Sequence, residues 1–405
     1  MRRVVITGMG SYSPLGASKN EILDALKAKQ NKTVIWDELN NYKNLNCKVV
    51  CPVTAELPIY PRKKTRAMGR IGRLAVAASG LALVDAGLDS SEILGSGRCG
   101  IAYGSSGGSS EAMNDVAAFS INKDVRHLNA TTYVAIMPHT VAVNLSIFYG
   151  IHGRIIATST ACTSGSQAIG YAYEAIKSGA QDVMLAGGAE ELSPFAVGVF
   201  DALFATSCEN SDPKQTPKPF DVSRDGIVVG EGAGSLILED YEHAMARGAK
   251  IYAEIVGFAT NCDATHITNP STVDMENCMG LALKSASLNP SDIGYVNAHG
   301  TGTINGDIAE GSATYRVFGN KVPVSTLKSY MGHTLGAAGA LESIISIYMM
   351  SEQWYAPNLN LETPDERCGD LNLITGDGLV KKCNYIMSNN FAFGGINTSL
   401  IFKQL

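Results

Sequence analysis

The chain is 405 residues long, 45% apolar and 17% charged, with 42 glycines and a net charge of −6. That length and balance exclude a disordered or fibrous chain and leave room for one large domain or two fused units. The acidic balance speaks against a nucleic-acid binder, and no apolar run is long enough to span a membrane.

The start, Met1-Arg2-Arg3-Val4-Val5-Ile6-Thr7-Gly8, lacks a signal-peptide pattern, so a cytoplasmic protein is expected, and its β-branched run predicts a strand over 3–8. Helical periodicity follows at 20–29 and 67–87. Arg62, Lys63, Lys64, Arg66, Arg70 and Arg73 form a basic run without an acid, which is either a solvated helix face or a docking face for an acidic partner. Gly95-Ser96-Gly97-Arg98-Cys99-Gly100 matches GxGxxG, but it precedes a predicted strand at 100–103, whereas a dinucleotide loop follows one. A strand at 154–158, a helix at 164–178 and strands at 182–186, 235–239 and 399–402 complete the alternation of an α/β layered fold. Nine cysteines, none in a CxxC pair, point to reduced thiols rather than disulfides or a zinc site.

An internal echo suggests duplication. Residues 155–165 run from an apolar strand through Thr160-Ala161-Cys162-Thr163 into a helix that opens on small residues. Residues 322–339 repeat the plan, with Lys328 and Gly332-His333 as the polar cluster. Small residues allow two such helices to lie face to face.

Cys162 stands where the strand turns into the helix, and a helix N-terminus favours thiolate over thiol. A lone cysteine is more often inert packing, so its company decides. His299, in Asn297-Ala298-His299-Gly300-Thr301-Gly302-Thr303, and His333 both lie in small, glycine-rich segments; Thr301 and Thr303 offer hydroxyls to a polar ligand. Lys328 needs a carboxylate partner, for which Glu310 and Asp307 are candidates. Phe391-Ala392-Phe393-Gly394-Gly395 is either a β-turn or a source of N–H groups beside a reacting carbonyl.

With Thr160-Ala161-Cys162-Thr163-Ser164-Gly165, Gly187-Gly188-Ala189-Glu190-Glu191, Pro219-Phe220-Asp221-Val222-Ser223-Arg224-Asp225-Gly226, Gly230-Glu231-Gly232-Ala233-Gly234, the His299 loop and the Lys328–His333 block, the chain resembles the β-ketoacyl-ACP synthases over essentially its whole length. The resemblance implies a thiolase-like duplicated five-layer α-β-α-β-α sandwich, with halves at 1–245 and 246–405 forming one catalytic unit. It implies that Cys162 carries an acyl chain, that neutral His299 and His333 stabilise an enolate from malonyl-ACP, and that Lys328, held by Glu310, orders the His333 loop. Backbone N–H groups of Cys162 and Phe393 would hold the oxyanion, with Phe391 and Phe393 at the gate. Thr301 and Thr303 would bind phosphopantetheine, and Phe200 would line the acyl pocket. No cofactor is implied beyond the carrier's phosphopantetheine; Asn297, Glu342, Ser388 and Asn389 match a structural monovalent-cation site of some relatives. Arg62, Lys63, Arg66, Lys123 and Arg126 match the acyl-carrier docking surface, and the partner subunit would be a second copy or another ketosynthase-like chain.

Departures cluster near the site. The usual Asn-Ser-Phe-Gly-Phe-Gly-Gly-Thr-Asn is here Asn389-Asn390-Phe391-Ala392-Phe393-Gly394-Gly395-Ile396-Asn397, and Ile304 replaces the usual proline. The resemblance implies two-carbon elongation in fatty-acid synthesis; Ala392 is expected to stiffen the gate and change the acyl group accepted, so the alternative is a dedicated ketosynthase of a polyketide or aryl polyene pathway, paired with a chain-length-factor partner. A non-catalytic scaffold is the rival from another class, against which the intact cysteine, histidines and lysine weigh.

Overall fold

The computed structural model describes residues 1–405. Its first half supplies strands β1 (Val4–Tyr12), β2 (Cys99–Gly104), β3 (Ile155–Thr158), β4 (Val183–Glu190) and β5 (Gly232–Asp240), lying in the order β3-β2-β4-β5-β1. The second half supplies β6 (Ala253–Cys262), β7 (Tyr295–Asn297), β8 (Pro323–Ser325), β9 (Tyr385–Phe391) and β10 (Ile396–Lys403), in the order β8-β7-β9-β10-β6. In both, the first three strands of the order are parallel and the last two join antiparallel. The halves meet where Val4, Val5 and Ile6 of β1 pair with Ile255, Glu254 and Ala253 of β6. With the short strand Asn372–Leu373 beside β8, eleven strands form one sheet.

Six helices complete the repeat: α1 (Arg70–Asp85), α2 (Thr140–Tyr149) and α3 (Ser164–Lys177), then α4 (Thr272–Ala286), α5 (Ile304–Phe318) and α6 (Ala338–Glu352). The α1–α2 pair covers the outer face of the first half and α4–α5 that of the second; α3 and α6 lie between the two halves of the sheet, which fold over them as two layers. Position explains composition. Every residue of α6 from Ala338 to Met350 is buried, and a helix apolar all round belongs in an interior. The central helices cross on small residues: a Cβ on Gly165 would lie 2.9 Å from the Gly336 carbonyl oxygen, and one on Gly339 would lie 2.5 Å from Ser166 N. This is the duplicated five-layer sandwich that the sequence led us to expect.

Local boundaries differ where the sequence carries a break. The helix predicted over 67–87 starts only at Arg70, after Gly69, and Arg62–Thr65 forms a separate turn. The GxGxxG string spans the end of a 3-10 turn, Glu92–Gly95, and the start of β2, so it has no helix N-terminus to offer a phosphate. No helix is long and apolar enough to cross a membrane.

Candidate active site

Duplication places two turns back to back. Cys162 lies in the 3-10 turn Ala161–Thr163 that feeds α3, and His333 lies just before the turn Leu335–Ala337 that feeds α6. Each turn opens on a non-glycine residue in the left-handed region, Ala161 at φ 50° and Leu335 at φ 48°. Such strain persists only where surroundings enforce it, and here it aims Cys162 and His333 at one point.

His333 Nε2 stands 3.0 Å from Cys162 Sγ, and the His299 ring meets the His333 ring edge-on at 5.0 Å. Leu335 N donates to His333 Nδ1 at 3.1 Å, and Lys328 Nζ donates to His299 Nδ1 at 3.1 Å. An ammonium and a backbone N–H have only protons to give, so both Nδ1 atoms are acceptors and both neutral rings carry their proton on Nε2. Burial, then the charge of Lys328, drives both imidazoles well below the usual histidine range. The site therefore presents two neutral N–H donors beside a sulfur. The three ligand atoms lie within 4.8 Å of one another, a spacing a metal ion could use. Protonated Nε2 atoms and a nearby ammonium remove the lone pairs and the field that a cation needs.

Cys162 overturns one expectation. Its thiol is not favoured as thiolate at rest: burial pushes it up to about 11, against the opposing pull of Lys328 and of the Phe393 and Cys162 N–H groups near the sulfur. The segment 391–395 is both things the sequence allowed. It is the turn of the β9–β10 hairpin, closed by Ala392 N on the Ile396 carbonyl at 2.9 Å, and it brings the Phe393 N–H close enough to act on the Cys162 thiol.

The partner of Lys328 is also corrected. Lys328 Nζ pairs with Glu342 Oε1 at 2.5 Å, not with Glu310. Glu310 instead accepts the backbone N–H groups of His299 and Gly300, each at 2.6 Å, and so holds the histidine loop; burial pushes it up to about 8. Asp307 accepts from Thr301 N and Gly302 N, and Arg224 from the Pro219–Gly226 motif donates to the Thr303 and Ile304 carbonyls. Glu342 was expected in a cation site, but its oxygens are taken by Lys328 and Asn390. Asn297 leaves a buried amide oxygen unpaired and donates to Ser388, while the Asn389 amide faces Met279 and Ser399. Of the four, Asn297 keeps a buried oxygen free that a monovalent cation could take, while Lys328 already supplies a positive charge to Glu342.

A cavity of about 410 Å³ leads to the sulfur, lined among others by Phe200, Thr301, Thr303, Ile304, Phe391 and Phe393. Phe200 and Phe393 rings lie 6.0 Å apart, and the Thr301 and Thr303 hydroxyls bond at 2.9 Å. Arg62, Lys63, Arg66, Lys123 and Arg126 lie on the surface away from this lining, all exposed, with Arg126 paired to Asp124. Arg70 leaves the basic run, turning inward onto Glu231 at 2.6 Å. The sequence reading gave no role to Glu190, which burial pushes up to about 7 and which accepts from Ser106 N and Gly336 N, tying the two halves behind Cys162. Its signal was present in the Gly187–Glu191 string, since a carboxylate among glycines at a strand end has backbone N–H groups as natural donors.

A sandwich built twice, whose first unit gives a cysteine and whose second gives two histidines, is a thiolase-like condensing enzyme. The family descriptions "Beta-ketoacyl synthase, N-terminal domain" and "Beta-ketoacyl synthase, C-terminal domain" match residues 1–244 and 252–362. The 3-oxoacyl-[acyl-carrier-protein] synthase 2 of Vibrio cholerae is 40% identical over 414 residues, covering 100% of this chain and 99% of that one. A β-ketoacyl synthase from Burkholderia phymatum STM815, solved by crystallography, is 53% identical with a TM-score of 0.99 and full coverage of both chains, 100% and 100%. The ishigamide ketosynthase/chain length factor is 30% identical with a TM-score of 0.91, covering 100% and 99%. The chain belongs to the β-ketoacyl synthase family of acyltransferases.

Proposed function

We propose that the chain extends an acyl group held on Cys162 by decarboxylative condensation with malonyl-ACP. One observation carries this: the Cys162 sulfur, the Nε2–H groups of two neutral histidines and the Phe393 N–H converge on one cavity. The thiol attacks the acyl thioester; the carbonyl oxygen gains charge, which the Cys162 and Phe393 N–H groups stabilise. Collapse expels the carrier's pantetheine sulfur, which leaves as the thiol with the proton that Cys162 gives up. Malonyl-ACP then occupies the same cavity. Its carboxylate departs as carbon dioxide, the bonding pair moves into the thioester as an enolate, and His299 and His333 Nε2–H stabilise the enolate oxygen. The enolate carbon attacks the Cys162 thioester, forms the new carbon–carbon bond and frees the sulfur, giving a chain two carbons longer.

Thr301 and Thr303 receive the phosphopantetheine arm, and Phe200 with Phe393 shapes the acyl pocket. Arg62, Lys63, Arg66, Lys123 and Arg126 dock an acidic acyl carrier protein, in a cytoplasmic enzyme whose two halves, 1–245 and 246–405, act as one catalytic unit. Incubation with acyl-ACP, then malonyl-ACP, tests the reading by mass spectrometry. A transient acyl adduct on Cys162 and a two-carbon-longer product are expected; absence of the adduct ends it.

A second reading concerns the pathway. Likeness to the 3-oxoacyl-[acyl-carrier-protein] synthases supports fatty-acid elongation; Ala392 at the gate turn, Ile304 at the mouth and the lower likeness to the ishigamide ketosynthase/chain length factor motivate the alternative, a dedicated polyene or polyketide ketosynthase with a ketosynthase-like partner. If saturated primers of ordinary lengths are extended as fast as polyunsaturated or aryl ones, fatty-acid elongation stands and the second reading falls.

A further inference from the structure

Glu342 is fully buried, and each of its carboxylate oxygens has its own donor: Lys328 Nζ at 2.5 Å on Oε1 and Asn390 Nδ2 at 2.7 Å on Oε2. The same Asn390 Nδ2 stands 3.4 Å from His299 Nδ1, the atom that Lys328 Nζ reaches at 3.1 Å. Two N–H donors therefore converge on one imidazole nitrogen, and a single carboxylate holds both.

We propose that Asn390 is a positioning residue for the condensation, fixing Glu342 and Lys328 so that His299 keeps its proton on Nε2, facing the substrate. This rests on the reading of His299 as the enolate's donor. The amide has one orientation that works. Turned over, it would set its oxygen against the Glu342 carboxylate and the His299 lone pair, two acceptors facing a third. Its Oδ1 accordingly lies buried without a partner and packs against Gly339, where a Cβ would come within 2.8 Å. An unpaired buried oxygen costs free energy, and the two bonds made by Nδ2 are what offset it. The backbone at Asn390 is held from both halves: Thr398 Oγ1 donates to its carbonyl at 3.3 Å and bonds Ser166 Oγ of α3 at 2.6 Å. The serine that stands here in the pattern the chain resembles is one atom shorter and has a single proton, so it cannot donate to both acceptors at once. In this chain the asparagine adds a second clamp to the Lys328–Glu342 pair.

The charged and titratable groups facing Asn390 and its acceptors are Lys328, Glu342, His299 and His333, with Glu310 and Cys162 close enough to feel Lys328. Asn390→Asp is therefore the informative variant. Protonated, the new carboxyl donates to Glu342 as the amide does; ionised, it faces a second carboxylate in a dry pocket.

The test measures, in the intact protein, Cys162 acylation by acyl-ACP separately from carbon dioxide release and condensation with malonyl-ACP, across about pH 6 to 9. Asn390→Leu should lower kcat for condensation on the order of 10²-fold, with KM for malonyl-ACP and the acylation rate within about twofold of wild type. Asn390→Ser should fall between, and Asn390→Asp should work at the acid end and fail as pH rises. Equal loss of acylation and condensation in Asn390→Leu would mean a merely structural role, and an unchanged kcat, or an Asn390→Asp profile parallel to wild type, would also overturn the proposal. Nitrogen-15 shifts of His299 separate this from failure of the functional reading. If wild type releases no carbon dioxide, that reading fails alone, whereas a His299 tautomer unchanged in Asn390→Leu sinks the positioning role.

Discussion

The two halves share a strand order and a central helix, yet they carry the chemistry unequally. The first half brings a single reacting atom, the Cys162 sulfur, on a turn ahead of α3. At the matching place ahead of α6, and at the ends of β7 and β9, the second half brings His333, Lys328, His299 and Phe393. Each half also seats a buried carboxylate behind its turn: Glu190 bonds backbone N–H groups and no cation, whereas Glu342 pairs with Lys328. A duplicated scaffold thus supplies two equivalent platforms that can be loaded independently, one to hold an electrophile and the other to make its partner nucleophilic.

The sharpest way to break this division is Cys162→Ala. Condensation should fall by at least about 10³-fold while carbon dioxide release from malonyl-ACP continues, read by paired product and gas assays. Loss of both together would refute the separation. His299→Ala removes a donor from the second platform and should cost carbon dioxide release about 10²- to 10³-fold, leaving Cys162 acylation nearly intact in a mass-spectrometric time course. Lys328→Met strands Glu342 in the interior and should cost about 3–5 kcal/mol of stability by denaturant melts. It also removes a charge that depresses both histidines, so their titration moves up toward the usual range and the acid-side loss of activity begins at higher pH. The smallest effect belongs to the first platform. With its thiol near 11, alkylation of Cys162 by a neutral reagent should rise about tenfold per pH unit between about pH 7 and 9 without a plateau. A plateau below pH 8 would mean a resting thiolate.

Much of this was legible in the sequence. The strand–small-residue-helix echo at 155–165 and 322–339 predicted two helices face to face, and Gly165 and Gly339 make that approach. Cys162, His299, His333 and Lys328 were identified as a set, and they converge. What stayed hidden in the sequence was which way each carboxylate faces, since Glu342 is nearer to Lys328 in sequence than Glu310 is. Glu310 sits nearer in sequence to His299 and was chosen for Lys328, but its turn of α5 faces the His299 and Gly300 N–H groups; Glu342 reaches the lysine from the central helix. The thiol was misjudged for a similar reason. A helix N-terminus is visible in sequence, whereas the desolvation that outweighs it is produced by elements from both halves.

The seam between β1 and β6 bears on how the chain comes off the ribosome. All of β1 is buried, and its neighbours are Ala233–Asp240 on one side and Ala253–Ile255 on the other. Residues 4–12 therefore stay unpaired until Gly232–Asp240 has been made, and Val4, Val5 and Ile6 gain their second neighbour only when Ala253–Ile255 follows, so both ladders close over long stretches of chain. Pairing at such separation is slow to form, so the exposure of this one buried strand, rather than the strength of the finished core, is what a folding chain must survive.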